Sequence, residues 1–437
     1  MRLHSLRGRP SRAALAAAAV ASACMLGVAA DARACDLCDG GWGPATDGFG
    51  FEERLAQYRA NGGLGGLANY GGPTPIVGTQ QVWLDFSQQI GGTYSAAEQQ
   101  QILAGLQSIY AAFDYSFSLT PPSGQFTTLI WDSGSGGLAD EIDFRNLNAS
   151  NTAFVGTSDV QGLPSAQQVN FAVNVGAHEL GHTVGLRHHD SYGPIGSGVP
   201  NSGVRSAFLP DFPGPLGAVE HSGNVMSTPA QGANPNVFFN TRAVLSERSV
   251  MKLAFNEQGV VTNEIGSAHG TIGTAQALTM QKLNVPNLRP AGSPYFGEIF
   301  DVETAVVLGN MTTSGELDVY SFIADEGDLI SIEVMGSALD RITDFIDSTV
   351  NVRDSAGVLL DYFGSTAQND DEDETTDSFI LDLLIPEDGT YFVSVDNPFT
   401  NFSGNYELYI ASFNVVVPEP GTFGVLAVSG LLLLRRR

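Results

Sequence analysis

Two textures divide the chain. Val82-Trp83-Leu84-Asp85-Phe86 alternates as a strand does, and residues 95–113 carry Ile102, Leu103, Leu106, Ile109 and Tyr110 at helical spacing. Short strands are expected around 126–131 and 152–156. A second helix is expected over about 165–186, and a third over about 241–256, where Val244, Leu245, Val250, Leu253 and Ala254 recur. Strands mixed with helices predict an α+β unit over residues 75–260. Beyond about residue 260 alternation takes over, in six runs at 317–324, 328–336, 348–353, 378–386, 390–397 and 404–412. Turn residues such as Asp354-Ser355-Ala356-Gly357 and Glu387-Asp388-Gly389 separate them. Regularly spaced antiparallel strands predict an all-β sandwich over 261–413. Residues 35–74, with Gly62-Gly63-Leu64-Gly65-Gly66, are weakly periodic and read as a linker or N-terminal extension.

Both ends stand apart. Arg2, Arg7, Arg9 and Arg12 precede an almost wholly apolar stretch over 13–30, and Ala32-Arg33-Ala34 follows as an A-x-A cleavage pattern. Residues 1–34 therefore read as a secretory signal peptide. At the other end Val417-Pro418-Glu419-Pro420 leads into an apolar run, Gly421 to Leu434, and then Arg435, Arg436 and Arg437. The run is shorter than the roughly 20 residues of a stable transmembrane helix, and the arginines would hold it on the cytoplasmic side. Residues 414–437 resemble the PEP-CTERM sorting signal of Gram-negative bacteria in the Pro-Glu-Pro motif, the short apolar segment and the Arg cluster. That resemblance implies transient membrane association, processing by exosortase-type machinery, and a place at the cell envelope or outside the cell.

Composition narrows the partners. The net charge of −27 argues against nucleic acid, whose phosphates need a basic surface. Solubility explains the charge, and some of the carboxylates offer Ca²⁺ ligands. Of three cysteines, Cys24 lies in the signal peptide, and Cys35 and Cys38 follow it at Cys-x-x-Cys spacing. These two could pair in an oxidising compartment, carry a lipid or cap a metal, but they cannot build a disulfide framework.

Residues 178–190 read His-Glu-Leu-Gly-His-Thr-Val-Gly-Leu-Arg-His-His-Asp and hold four of the seven histidines. On an α-helix His182 lies about 40° round from His178, one turn along, while Glu179 is turned about 100° away. Val169, Val173, Ala177, Leu180 and Val184 fall on the far side and predict a core-facing stripe. Two imidazoles side by side suit two tetrahedral zinc bonds, and Glu179 suits a general base better than a ligand. Gly185 permits a positive-φ exit from the helix, after which His188 can swing back as third ligand. Three neutral imidazoles leave a fourth position for water, the mark of a catalytic site, with Glu179 taking the water's proton. His189 competes with His188; adjacent side chains point apart, so only one of them should bind. Asp190 is either a partner that sets an imidazole tautomer or a turn residue. Arg187 reads as a surface residue.

His178-Glu179-x-x-His182-x-x-Gly185-x-x-His188 is similar to the metzincin signature of zinc peptidases. The resemblance implies a mixed sheet with a long zinc-binding helix, one catalytic Zn²⁺ and a Met-turn beneath it. Met226 in His221-Ser222-Gly223-Asn224-Val225-Met226-Ser227 is the candidate for that turn, with an ordinary core Met as the alternative. Thr228 stands where the astacin and serralysin branches carry Tyr, so no Tyr ligand is implied. Glu316-Leu317-Asp318-Val319-Tyr320-Ser321-Phe322, Gly389-Thr390-Tyr391 and Ser403-Gly404-Asn405-Tyr406-Glu407-Leu408 resemble the bacterial pre-peptidase C-terminal domain. That resemblance implies a part in export, stability or substrate attachment.

Two acidic stretches remain. Asn369-Asp370-Asp371-Glu372-Asp373-Glu374 with Asp377 offers hard oxygen ligands for Ca²⁺, although a solvated acidic loop is the commoner reason for such a run. Gly137-Leu138-Ala139-Asp140-Glu141-Ile142-Asp143 is either a Ca²⁺ loop or the approach to an edge strand that aligns peptides. The expectation is an exported zinc metalloendopeptidase acting on peptide or protein substrates. The competing reading is a surface protein whose sandwich binds polysaccharide or envelope material over a silent zinc site. Hydrolysis of a non-peptide amide is a third.

Overall fold

A computed structural model of the chain describes residues 51–61, 78–193, 195–196, 198, 219–220, 223–228, 235–286, 300–313, 315–371, 375–398 and 403–415. It is mixed α+β, with few helices and a β-rich C-terminal region. Helix α1 spans Phe51–Ala60. The alternating run near residue 82 forms β1 (Gln80–Asp85). Helix α2 (Ala96–Ile109) starts on a capping box in which the Ser95 side chain accepts from Glu98 N–H and the Glu98 carboxylate accepts from Ser95 N–H. Strands β2 (Tyr115–Ser118), β3 (Thr127–Asp132), β4 (Gly137–Ala139) and β5 (Thr152–Gly156) follow. They assemble in the order β2-β1-β3-β5-β4. Every pairing is parallel except that of β4 with β5, so β4 is an antiparallel edge strand.

Alternation sends the strand side chains to opposite faces. Leu129, Trp131, Ala153 and Val155 join the main core with Leu106 of α2 and Val173 of α3 (Ser165–His182). Gly105 lets the two helices close up: a Cβ there would fall 2.6 Å from Val173 Cγ2. Ile130, Leu138 and Phe154 face the other way and are covered by Leu55 and Tyr58 of α1. The Arg54 Nε–H donates to buried Asp132 at 2.9 Å, and Tyr58 Oη–H to Asp85 at 2.6 Å. This differs from the reading of 35–74 as a linker. Phe51, Leu55 and Tyr58 stand at helical spacing, but the run is short and flanked by glycines, so it does not stand out; Leu55 and Tyr58 nonetheless close one face of the sheet. Residues 35–50 and 62–74 lie outside the described residues, as do Cys35 and Cys38.

The second expected helix ends early. Its last α-helical residue is His182, and Gly185 takes φ +91°. Gly185 N–H bonds to His182 O at 2.9 Å and Leu186 N–H to Gly181 O at 2.9 Å, the paired closure of a Schellman motif. A Cβ at 185 would stand 2.3 Å from Phe144 Cα, so space and backbone conformation both require glycine. Nor is α3 apolar on one stripe only: every residue from Phe171 to His182 is buried. The third expected helix begins later, at α5 (Glu247–Gln258), where the Ser246 side chain accepts from Ser249 N–H. A separate turn of helix, α4 (Pro235–Asn240), precedes it. Short strands β6 (Tyr192–Gly193) and β7 (Val219–Glu220) pair between α3 and α4.

The six expected C-terminal strands are present as β12 (Leu317–Ala324), β13 (Leu329–Met335), β14 (Thr349–Arg353), β18 (Ser378–Leu384), β19 (Gly389–Asp396) and β20 (Gly404–Val415). The pattern missed β8 (Val261–Asn263), β9 (Gln276–Ala277), β10 (Gln281–Leu283) and the long β11 (Phe300–Met311), besides a small hairpin of β15 (Asp361–Tyr362) and β16 (Ser365–Thr366), and β17 (Gln368–Asn369). One sheet runs β10-β11-β20-β13-β18 with β8 added beside β11; the other runs β17-β14-β19-β12-β9. Val307, Met311, Leu408 and Ile410 of the first share a core with Tyr320, Phe322, Val350 and Val393 of the second. The opposite face of the first sheet is also covered, because Val302, Val306, Ala411 and Phe413 belong to the core of the α+β region. Burial on both faces removes alternation from β11, which is why its sequence does not read as a strand.

Among the described residues no helix is long and apolar enough to cross a membrane. The signal peptide and residues 416–437 lie outside the described residues, while 414 and 415 belong to β20.

A candidate metal centre

The last turn of α3 and the 3₁₀ turn His188–Ser191 bring three imidazoles together. The Nε2 atoms of His178 and His188 are 3.1 Å apart, those of His182 and His178 3.2 Å, and those of His182 and His188 3.2 Å. All three rings are buried. His178 Nδ1 lies 2.8 Å from Val225 O, and His182 Nδ1 lies 2.9 Å from Leu186 O. A carbonyl can only accept, so both Nδ1 atoms carry the proton and both Nε2 atoms present lone pairs. Lone pairs aimed at one another at 3.2 Å repel unless a cation lies between them. Tetrahedral bonds of about 2.0–2.1 Å put ligand nitrogens roughly 3.3–3.4 Å apart. The cluster could therefore hold a small divalent metal ion.

Glycines shape the surroundings. The Glu179 carboxylate is buried against the edge strand: a Cβ at Gly137 would fall 2.0 Å from Glu179 Oε1. A Cβ at Gly181 would fall 2.6 Å from Met226 Sδ, so Met226 underlies the helical turn between His178 and His182. Met226 sits in a tight turn closed by Ser227 N–H on Asn224 O at 3.2 Å. Val225 N–H bonds to Val244 O, which holds the Val225 carbonyl that receives His178. Neither Gly137, Gly181 nor the two carbonyls could be picked from the sequence, because their role is spatial.

His189 is not one of the three. Its Nε2 lies 3.0 Å from Glu333 Oε2, and its ring stacks on Phe379 at 5.0 Å. Of the two readings of Asp190, the structure shows the turn: Asp190 Oδ2 accepts from Arg187 N–H at 2.8 Å and from Lys252 Nζ at 2.9 Å. His189, Asp190 and Glu333 also cluster, but the Lys252 ammonium already bonds both carboxylates. Burial alone would push Glu333 up; Lys252, His189 and Arg187 together hold it well below the usual carboxylate range. Arg187 is not a surface residue. It is buried, and its Nη1 donates to Asp377 Oδ2 at 3.1 Å.

Asp377 is thus no part of a solvated acidic loop. Its carboxylate also accepts from Gly336, Ser337 and Ala338 N–H. Residues 372–374 of that run lie outside the described residues. Of the other acidic stretch, Gly137–Ala139 is the edge strand itself. Asp140 accepts from Thr152 N–H, and Asp143 from Asn148 N–H and Arg341. Burial, with Glu141 nearby, pushes Asp143 up to about 7.

No protein-family model matches the chain, and no curated protein matches it. Among solved structures, the chain is similar to a periplasmic inhibitor of g-type lysozyme from Aeromonas hydrophila, 13% identical over 35% of this chain and 96% of that one, with a TM-score of 0.20. It is similar to the pre-peptidase C-terminal domain of a Bacillus anthracis collagenase, 18% identical over 24% of this chain and 86% of that one, with a TM-score of 0.19. Likenesses this faint carry no argument about function.

Proposed function

We propose that the chain is an exported zinc-dependent endopeptidase of metzincin type. The observation that carries this is the triangle of Nε2 atoms from His178, His182 and His188, with the His178 and His182 tautomers set by backbone carbonyls. Zinc bound there would lower the pKa of water and polarise a carbonyl. Glu179, on the same helical turn, would take the proton from the attacking water and pass it to the leaving amine. Its carboxylate packs on the Cα of Gly137, which brings the base to the edge strand. β4 ends its sheet among the described residues, and an extended peptide added beside it would lay the scissile bond near Glu179. Met226 supplies an apolar floor. The C-terminal sheets form a sandwich of pre-peptidase C-terminal type, and the signal peptide and sorting tail direct the protein to the envelope of a Gram-negative bacterium.

The test uses the processed full-length protein. One zinc per chain and cleavage of casein or gelatin are expected. Glu179→Gln should keep the zinc and lose activity by about 10²–10⁴-fold. Full activity in that variant would sink the mechanism. Zinc without proteolysis in the wild type would favour the adhesion reading.

A further inference from the structure

The first two ligands come from one helix, so α3 alone sets their spacing. The third is different. His188 lies beyond the Gly185 break, in a 3₁₀ turn of four residues, and such a short turn has little stiffness of its own. Its neighbours on both sides are gripped by the C-terminal β region. Arg187 Nη1 donates to Asp377 Oδ2 at 3.1 Å, and Nη2 donates to Thr375 Oγ1 at 3.3 Å. Asp377 is itself fixed by three backbone N–H groups over 336–338. On the other side of the ligand, His189 Nε2 lies 3.0 Å from Glu333 of β13, and the imidazole stacks on Phe379 of β18. Glu333 is tied back to the turn through Lys252, which bridges it to Asp190. Arg187, His189, Glu333 and Asp377 are all buried.

Resting on the reading of the three histidines as a zinc centre, we propose that the β region positions His188 and so forms part of that centre. Arg187, His189, Glu333, Phe379 and Asp377 act as positioning residues: they touch neither metal nor substrate, and they hold the backbone on either side of His188. An attachment module joined only by a linker would leave the turn ungripped. Here the sheet that carries Glu333 and Phe379 lies against the ligand turn itself.

Zinc affinity measured by chelator competition on the folded full-length chain tests this, with the Co²⁺-substituted absorption spectrum as a report of ligand number. Asp377→Asn and Glu333→Gln should each weaken zinc by about 10–100-fold and move the Co²⁺ spectrum toward that of His188→Ala. Phe379→Leu, a milder change, should weaken zinc in the same direction if the charge variants fail to fold. Asp382→Asn is the control. It breaks an equally buried pair with Arg248 of α5, between the same two regions, and Arg248 meets the backbone at Tyr192 O, one residue past the ligand turn. It should lower thermal stability and leave zinc affinity within about threefold, well inside the effect expected of a positioning residue. Equal zinc affinity and an unchanged Co²⁺ spectrum in the Asp377, Glu333 and Phe379 variants overturn the proposal, as does an Asp382→Asn loss as large as theirs. Wild-type protein that binds no zinc overturns the metal reading and this inference with it.

Discussion

His182 and His269 are both wholly buried, and each places Nδ1 against a backbone carbonyl, yet they use the other ring nitrogen in opposite ways. His182 Nε2 meets two more imidazole nitrogens. His269 Nε2 meets two carboxylates, Glu264 at 3.2 Å and Asp318 at 3.7 Å. The groups facing Nε2 explain the difference. For His182 the Nδ1 partner is an acceptor only, which leaves Nε2 as a lone pair. For His269 Nδ1 lies beside both the O and the N–H of Val319, and the carboxylates at Nε2 call for an N–H there. Two bare nitrogens facing each other and a third imidazole favour a cation, whereas an N–H facing carboxylates is already satisfied. A cluster of ligand-type residues is therefore not enough to mark a metal site; what the inward-facing nitrogens meet decides.

The largest test removes a ligand from the first cluster. His182→Ala should weaken zinc by more than about 100-fold, beyond what losing a supporting residue costs, and abolish cleavage. Zinc at about 100 times its Kd adds roughly 2.7 kcal/mol to stability. A chelator should therefore lower the wild-type Tm by several degrees and leave the variant's Tm unmoved. Unchanged zinc stoichiometry in His182→Ala would break the comparison from this side.

His269→Leu addresses the other cluster. It leaves buried carboxylates facing one another, which costs about 3–5 kcal/mol, but zinc stoichiometry should stay at the wild-type value. A loss of bound zinc in this variant would show that the two clusters are not distinct in kind.

The smallest expected effect is in pH. Burial pushes Asp318 up to about 6, while the Tyr406 hydroxyl and His269 partly counter it. A carboxyl whose folded pKa is raised holds its proton more tightly when folded. Its stabilising contribution is present below its ordinary value near 4 and is lost as pH rises through about 6. Asp318→Asn should flatten the fall in Tm between pH 4 and 6.5 by about 2–4 °C, the shift expected of roughly 1 kcal/mol. An unchanged slope would mean that Asp318 titrates normally and that its cluster is solvated.

Local pattern carried a good deal. The helical placement of His178 and His182 follows from a spacing of four, and Gly185 marked the end of the helix. The six alternating strands of the β region were legible because one side of each is more polar than the other. Three features were not. In α1, Phe51, Leu55 and Tyr58 stand at helical spacing, but glycine-rich sequence on either side hides so short a run. β11 is buried on both faces and loses its alternation. Arg187 and Asp377, 190 positions apart, each look like ordinary solvated charge until the fold buries them against each other. Met226 stands out in the sequence only through the likeness to the metzincin signature, and the close approach at Gly181 places it beneath the turn that carries His178 and His182.

The sequence by itself determined which histidines could serve as ligands, the order in which they occur and the helix that carries two of them, because backbone geometry acts over a few residues. Only the tertiary structure brought His188 rather than His189 beside His178 and His182, set the tautomers of those two through the carbonyls of Val225 and Leu186, and laid a C-terminal β region against the turn that carries His188. Those choices depend on hydrogen bonds and burial between segments distant along the chain, and no local pattern encodes which distant group will arrive.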